Sequence, residues 1–142
     1  MPPTFRVDVI TPDRTAFSGD VVGLVAPGSE GYLGVLANHA PLLTALGVGE
    51  ARMTDGEGRD IHFAISGGFL EVADNRAILL ADAAERADQI DVARAEAARE
   101  RAEQTRGQRS PADPGYAAAE AALARAINRL RVAREHGRAD EG

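Results

Sequence analysis

The chain has 142 residues, 44% of them hydrophobic and 27% charged, with no cysteine; it is long enough for one core and excludes disulfides and thiolate chemistry. Its net charge is -6 and none of its 16 basic residues is a lysine, which removes Schiff-base and Walker-type lysines. Residues 1–86 hold 11 of the 15 glycines, with 12 acids against 6 Arg, whereas residues 87–142 hold 16 Ala with 10 acids and 10 Arg. Two architectures therefore share the chain, a 1–86 domain and an 87–142 domain. The acidic first part argues against a nucleic-acid module. No stretch approaches the ~20 apolar residues of a membrane span, and no leader is evident, so a soluble or peripheral protein is expected.

In chain order, Phe5, Val7 and Val9 alternate with polar residues as a half-buried strand that stops at Thr11-Pro12-Asp13. A second strand is expected over 21–26, ending at Pro27-Gly28. Glu50 to Met53 and Ile61 to Ile65 flank a Thr54 to Gly58 turn, and Phe69 to Val72 and Ala77 to Leu80 flank Ala73-Asp74-Asn75-Arg76, giving two hairpins. Short strands without helical period indicate a β-sandwich or barrel. From Leu80 the period changes. Asp88 is expected to cap a helix from Gln89 to Thr105 with Gly107 as its stop, and Asp113-Pro114 opens a second helix running to His136. Its apolar stripe reads Tyr116, Ala119, Leu123, Ile127, Leu130 and Ala133, while Ile90 and Val92 are the only large aliphatics at the first helix. The overall class is α+β, an N-terminal β-sandwich followed by an antiparallel helical hairpin seamed by alanine. An alanine seam allows close approach with little apolar burial to hold it.

The Gly31 to Leu43 stretch, Gly-Tyr-Leu-Gly-Val-Leu-Ala-Asn-His-Ala-Pro-Leu-Leu, resembles the epsilon subunit of bacterial and chloroplast F-type ATP synthases. The likeness continues through Ala64 to Val72, Ile90 to Ala95 and Arg125 to Ala133. It implies a sandwich of about ten strands that joins the gamma subunit to the membrane c-ring, and a hairpin that can extend toward the catalytic alpha and beta subunits and inhibit ATP hydrolysis. It also implies a non-catalytic subunit coupling proton transport to ATP synthesis, peripheral on the cytoplasmic side of a bacterial plasma membrane, with no required cofactor. The alternative is a free-standing sandwich that binds a ligand and dimerises through its helices.

His39, in a Gly-rich loop beside Asn38 and Pro41, lacks the nucleophile and acid of a catalytic group and is read as bonding a turn. His62 is assigned to a strand and His136 to a helix end, too scattered for zinc. Gly28, Gly31 and Gly34 lack the helix and Lys-Ser/Thr pair of a phosphate loop and are read as turns or close backbone approaches.

The helical arginines carry the sharper signal. Arg94, Arg99, Arg106 and Arg131 each have an acid three or four residues away, whereas Arg101, Arg125, Arg129 and Arg134 have none. Arg94 and Arg101 share a helix face, so an antiparallel partner carrying Arg125 and Arg129 would gather four guanidinium groups. Three anions could meet them: acids of the opposite helix such as Glu96 or Glu100, an acidic surface of the beta subunit, or ATP. The family's ATP motif, Ile/Leu-Asp-x-x-Arg-Ala, is matched by Ile90, Asp91, Arg94 and Ala95. Arg101, Arg125 and Arg129 fall at its basic positions and Glu85 near its acid. A hinge is expected between Asp82 and Asp88.

Overall fold

A computed structural model describes residues 2–137; residues 138–142 of the expected helical segment lie outside them. The chain divides into two compact units between Arg86 and Ala87. In the first, strands β1 (Phe5–Thr11), β2 (Arg14–Val21), β3 (Gly23–Gly28), β4 (Gly31–Val35), β5 (Leu42–Thr54), β6 (Asp60–Ala73) and β7 (Arg76–Arg86) form one sheet in the order β2-β1-β7-β6-β5-β3-β4. Only β1 and β7 run parallel.

Among the described residues the strands number seven and not about ten, because β5, β6 and β7 are each long enough to serve both layers. The ladders on both sides of β6 skip one position, Gly67, whose neighbours in register are Gly47 and Asp82. On either side of that line the buried parity changes. Phe63 and Ile65 point inward before it, and Leu70 and Val72 after it; Ala51 and Met53 oppose Leu46 in the same way, and Ala84 opposes Leu79 and Ala81. Since alternate residues face opposite sides of a strand, a parity change means that the sheet has turned over. Gly67 at φ +70° and Gly68 at φ +115° make the turn, in a region that L side chains rarely adopt.

All these residues join one core with Phe5, Val7, Val9, Val21 and Val35. The Phe17 ring of β2 meets the Phe63 ring of β6 at 6.2 Å, edge to face, although three strand spacings of about 4.8 Å separate the two in a flat sheet. The sheet has closed into a sandwich. The expected strand over 21–26 proves to be two elements, since β2 ends at Val21 and β3 begins at Gly23. Both expected hairpins form, and Asp74 and Asn75 take the two left-handed positions of the second turn at φ +52° and +59°.

In the second unit a single 3-10 turn, Ala87–Gln89, precedes α1 (Val92–Gly107) and α2 (Pro114–His136). Asp91 caps α1, not Asp88. Its backbone is extended and its carboxylate accepts from the Arg94 amide at 3.0 Å, so buried Ile90 lies outside the helix. Asp113 caps α2 through the Gly115 amide at 2.8 Å, with Pro114 in the first turn as expected. The seam consists of Ala95 and Ala102 against Ala119, Leu123, Ala126, Leu130 and Ala133. Ile127 leaves the expected stripe and is 49% exposed; Ala126 is buried in its stead, since both positions lie three or four residues from Leu123 and Leu130 and the neighbouring helix selects between them. Val92 is likewise exposed. β7 stays paired with β6 through Arg86, so residues 82–86 of the expected hinge belong to the sheet.

Candidate functional site

The antiparallel hairpin gives its arginines two flanks. On one, Arg99, Arg131 and Arg134 line a groove with Ile127, Leu130 and Glu135. Each of these arginines has an acid: Arg99 bonds Glu96 and Glu103 at 2.9 Å, Arg131 reaches Glu135 at 3.5 Å, and Arg134 crosses to Glu96 at 2.6 Å. Arg99 and then Arg134 hold the Glu96 carboxyl below its usual range, and Glu96 and Glu103 raise Arg99 above its own. The opposite-helix acid therefore answers Arg134, which has none nearby on its own helix.

The second flank carries Ala98, Arg101, Ala102 and Thr105 of α1 beside Gly115, Ala118, Ala119 and Ala122 of α2. Arg94 is two turns before Arg101, Arg125 two turns after Ala118, and Arg129 two turns after Ala122, so helical period brings all four arginines to this side. The Arg134 and Glu96 side chains reach along the hairpin to meet, since residues 98–105 of α1 lie beside residues 115–122 of α2. Arg94, Arg101 and Arg125 are exposed and Arg129 is half-buried. Arg94 donates its backbone amide to the Asp91 carboxylate but, among the described residues, its guanidinium makes no ion pair with it; Arg106 makes none with Glu103. Ala95 is fully buried in the seam, and Ile90 is buried before the helix. Glu85 belongs to the first unit, on β7 opposite Ala64.

In the first unit His39 behaves as a turn residue, its amide donating to Leu36 and its ring Nδ1 lying 2.6 Å from the Ala40 carbonyl. His62 lies on β6 with Nδ1 3.7 Å from a Glu50 carboxylate oxygen. A Cβ on Gly28 would come 2.6 Å from the Gly31 carbonyl oxygen, the expected close backbone approach, while Gly34 faces open space. Composition and helical spacing did not reveal Asp8, a buried carboxylate on β1 that takes bonds from Ser18 and, at 2.9 and 2.6 Å, from Arg76. In the sequence it is no more than one of the polar residues that alternate with Phe5, Val7 and Val9.

The family model of the ATP synthase Delta/Epsilon chain beta-sandwich domain matches residues 4–87, and that of the long alpha-helix domain matches residues 88–134. The chain belongs to the ATP synthase delta/epsilon chain family. Among its relatives, the ATP synthase epsilon chain of Desulforamulus reducens is 49% identical over 133 residues, covering 94% of this chain and 99% of that one. The epsilon chain of Pelotomaculum thermopropionicum is 57% identical over 101 residues, covering 71% of this chain and 75% of that one. The fold matches, with a TM-score of 0.77, 24% identity and coverage of 96% and 84%, a chain in the Euglena gracilis mitochondrial ATP synthase structure of OSCP, F1 and c-ring. Both halves of the epsilon chain are thus present here in the family's order, a sandwich and then helices. The chain is an ATP synthase subunit of epsilon type.

Proposed function

We propose that the chain is a non-catalytic central-stalk subunit whose sandwich joins gamma to the c-ring and whose hairpin restrains ATP hydrolysis by the alpha and beta subunits. The likeness of both family domains over nearly the whole chain supports the docking role. In this reading it is held at the cytoplasmic face of a bacterial plasma membrane by the complex alone; among the described residues no helix is long and apolar enough to cross a membrane.

The observation that carries the regulatory reading is the asymmetry of the hairpin. One flank meets its arginines with Glu96, Glu103 and Glu135, while the other carries an alanine-floored groove lined by Arg101 and Arg109, with Arg94, Arg125 and Arg129 further along the same side by helical period. Guanidinium groups suit phosphate and carboxylate oxygens alike. ATP on this flank would favour the closed hairpin, and acids of the catalytic head would favour the extended one. A switch of this kind needs states within a few kcal/mol, which a seam of alanines permits. ATP is a regulatory ligand here and no cofactor is required.

Removing residues 88–142 from the assembled enzyme is expected to leave it assembled and to raise ATP hydrolysis. Unchanged hydrolysis overturns the inhibitory role. Titration calorimetry of the whole chain with ATP, against Arg94→Ala and Arg129→Ala, tests the ligand; heat that survives both substitutions removes ATP from this flank.

A further inference from the structure

Between Glu30 and Glu50 the chain carries no Asp, Glu, Lys or Arg, although 27% of the whole is charged. Four large apolar side chains in this stretch stand in water: Tyr32 at 60% exposure, Leu36 at 68%, Leu43 at 69% and Val48 at 46%. Single exposed apolar residues are ordinary, but four within one uncharged stretch mark that stretch as suited to an uncharged partner. Its shape is a physical problem. Residues 36–41 lie between β4 and β5 and belong to neither ladder, and Asn38 sits at φ +62°, a conformation that costs a non-glycine residue of order 1 kcal/mol.

The support comes from another turn. The two-residue β6–β7 turn needs left-handed backbone at position 75, which Gly supplies as well as Asn. Yet the Asn75 side chain accepts from the Asn38 amide with Oδ1 at 2.7 Å and donates through Nδ2 to the Thr4 carbonyl at 3.0 Å, while its own carbonyl accepts from the Arg6 amide at 3.2 Å. One residue therefore ties the start of β1, the β6–β7 turn and the His39 loop together. Its amide is bonded to the loop and to the chain start in a geometry that the turn itself does not require.

We infer that Asn75 is a positioning residue that presets the Leu36 to Pro41 loop for docking. This rests on the reading that the sandwich docks through that region. A loop already held in its bound shape loses less freedom on association, so the amide of Asn75 contributes to affinity without touching the partner. Asn75 lies outside every motif that carried the family resemblance.

Asn75→Gly keeps the left-handed turn and removes both side-chain bonds; Asn75→Asp keeps the Oδ1 acceptor and removes the donor. The full-length chain and both variants are compared by amide exchange at Asn38 and by affinity for ATP synthase stripped of its epsilon chain. Asn75→Gly is expected to speed Asn38 exchange about fivefold and to weaken rebinding by a similar factor, with the exchange of β6 and β7 ladder amides unchanged. Asn75→Asp is expected to stay within twofold of the parent at Asn38. Parent-like affinity in Asn75→Gly overturns the inference while leaving the docking reading intact, and so does unaltered Asn38 exchange. Failure of the parent chain to rebind overturns the docking reading and the inference with it.

Discussion

The Arg134 guanidinium of α2 donates to the Glu96 carboxylate of α1 across 2.6 Å, joining residues 38 positions apart. Glu96 also accepts from Arg99 at 2.9 Å, and Arg99 continues to Glu103 at 2.9 Å, so a four-residue charge chain runs along one flank of the hairpin. The seam beneath supplies alanine contacts, which hold helices close without setting one unique register. The charge chain adds the direction and the specificity that alanine lacks.

Arg134→Gln should therefore loosen α1, a helix it does not belong to. Amide exchange across Ala95 to Ala102 is expected to quicken about two- to fivefold at low salt and to show little difference near 1 M salt, where such pairs are screened. A Glu96→Gln, Arg134→Gln double variant should lose no more than the larger single effect. Additive losses would assign the two residues separate roles.

The sandwich should weaken in acid through Asp8. The Ser18 hydroxyl first, then Arg76, holds its carboxyl below the usual carboxylate range against the opposing effect of burial. A folded value below the unfolded one gives stability that is fully present above about pH 4 and is lost as pH falls toward the folded value. Asp8→Asn should cost about 2 kcal/mol at neutral pH and flatten that acid slope. Urea unfolding followed between pH 7 and pH 3 measures both.

Gly68→Ala should be among the most damaging small substitutions in the chain. At φ +115° a Cβ would collide with the Leu80 carbonyl and stand 2.8 Å from Ala81 Cα, both backbone atoms of β7. A loss of about 3 kcal/mol is expected, with the turn-over of all three long strands at stake. The urea midpoint is the measurement.

Asp91 offers a way to separate folding from ligand binding. Asn replaces it as a cap with little loss, whereas Asp91→Ala should cost about 1 kcal/mol of α1 stability, read as helicity by circular dichroism during thermal unfolding. If Asp91 serves only as the cap, ATP heat in Asp91→Asn matches the parent. A loss confined to ATP heat would show that the carboxylate also serves the ligand.

Much of the fold is legible in local pattern. Alternation marks β1, the Asp74-Asn75 turn marks a hairpin, and Asp113-Pro114 opens α2, because each rests on forces acting within a few residues. The cap of α1 was less legible: Asp88 and Asp91 are equally good residue types, and burial of Ile90 outside the helix accompanies the choice of the second. Ile127 shows the same limit, since an apolar residue within one position of a stripe is assigned to core or solvent only by the neighbouring helix.

The contrast between the two halves, acidic and glycine-rich against balanced and alanine-rich, follows from the sequence by itself. So does family membership, because motif order is a property of the chain. Which arginines find acids was decided only by tertiary structure. Local spacing sees partners three or four residues away, while Glu96 and Arg134 meet because antiparallel packing lays α2 alongside α1. The fold-over at Gly67, likewise, exists only where three strands share one line of missing pairs. Long-range register, set by packing, converts a row of glycines and arginines into a sandwich and a hairpin with two unlike flanks.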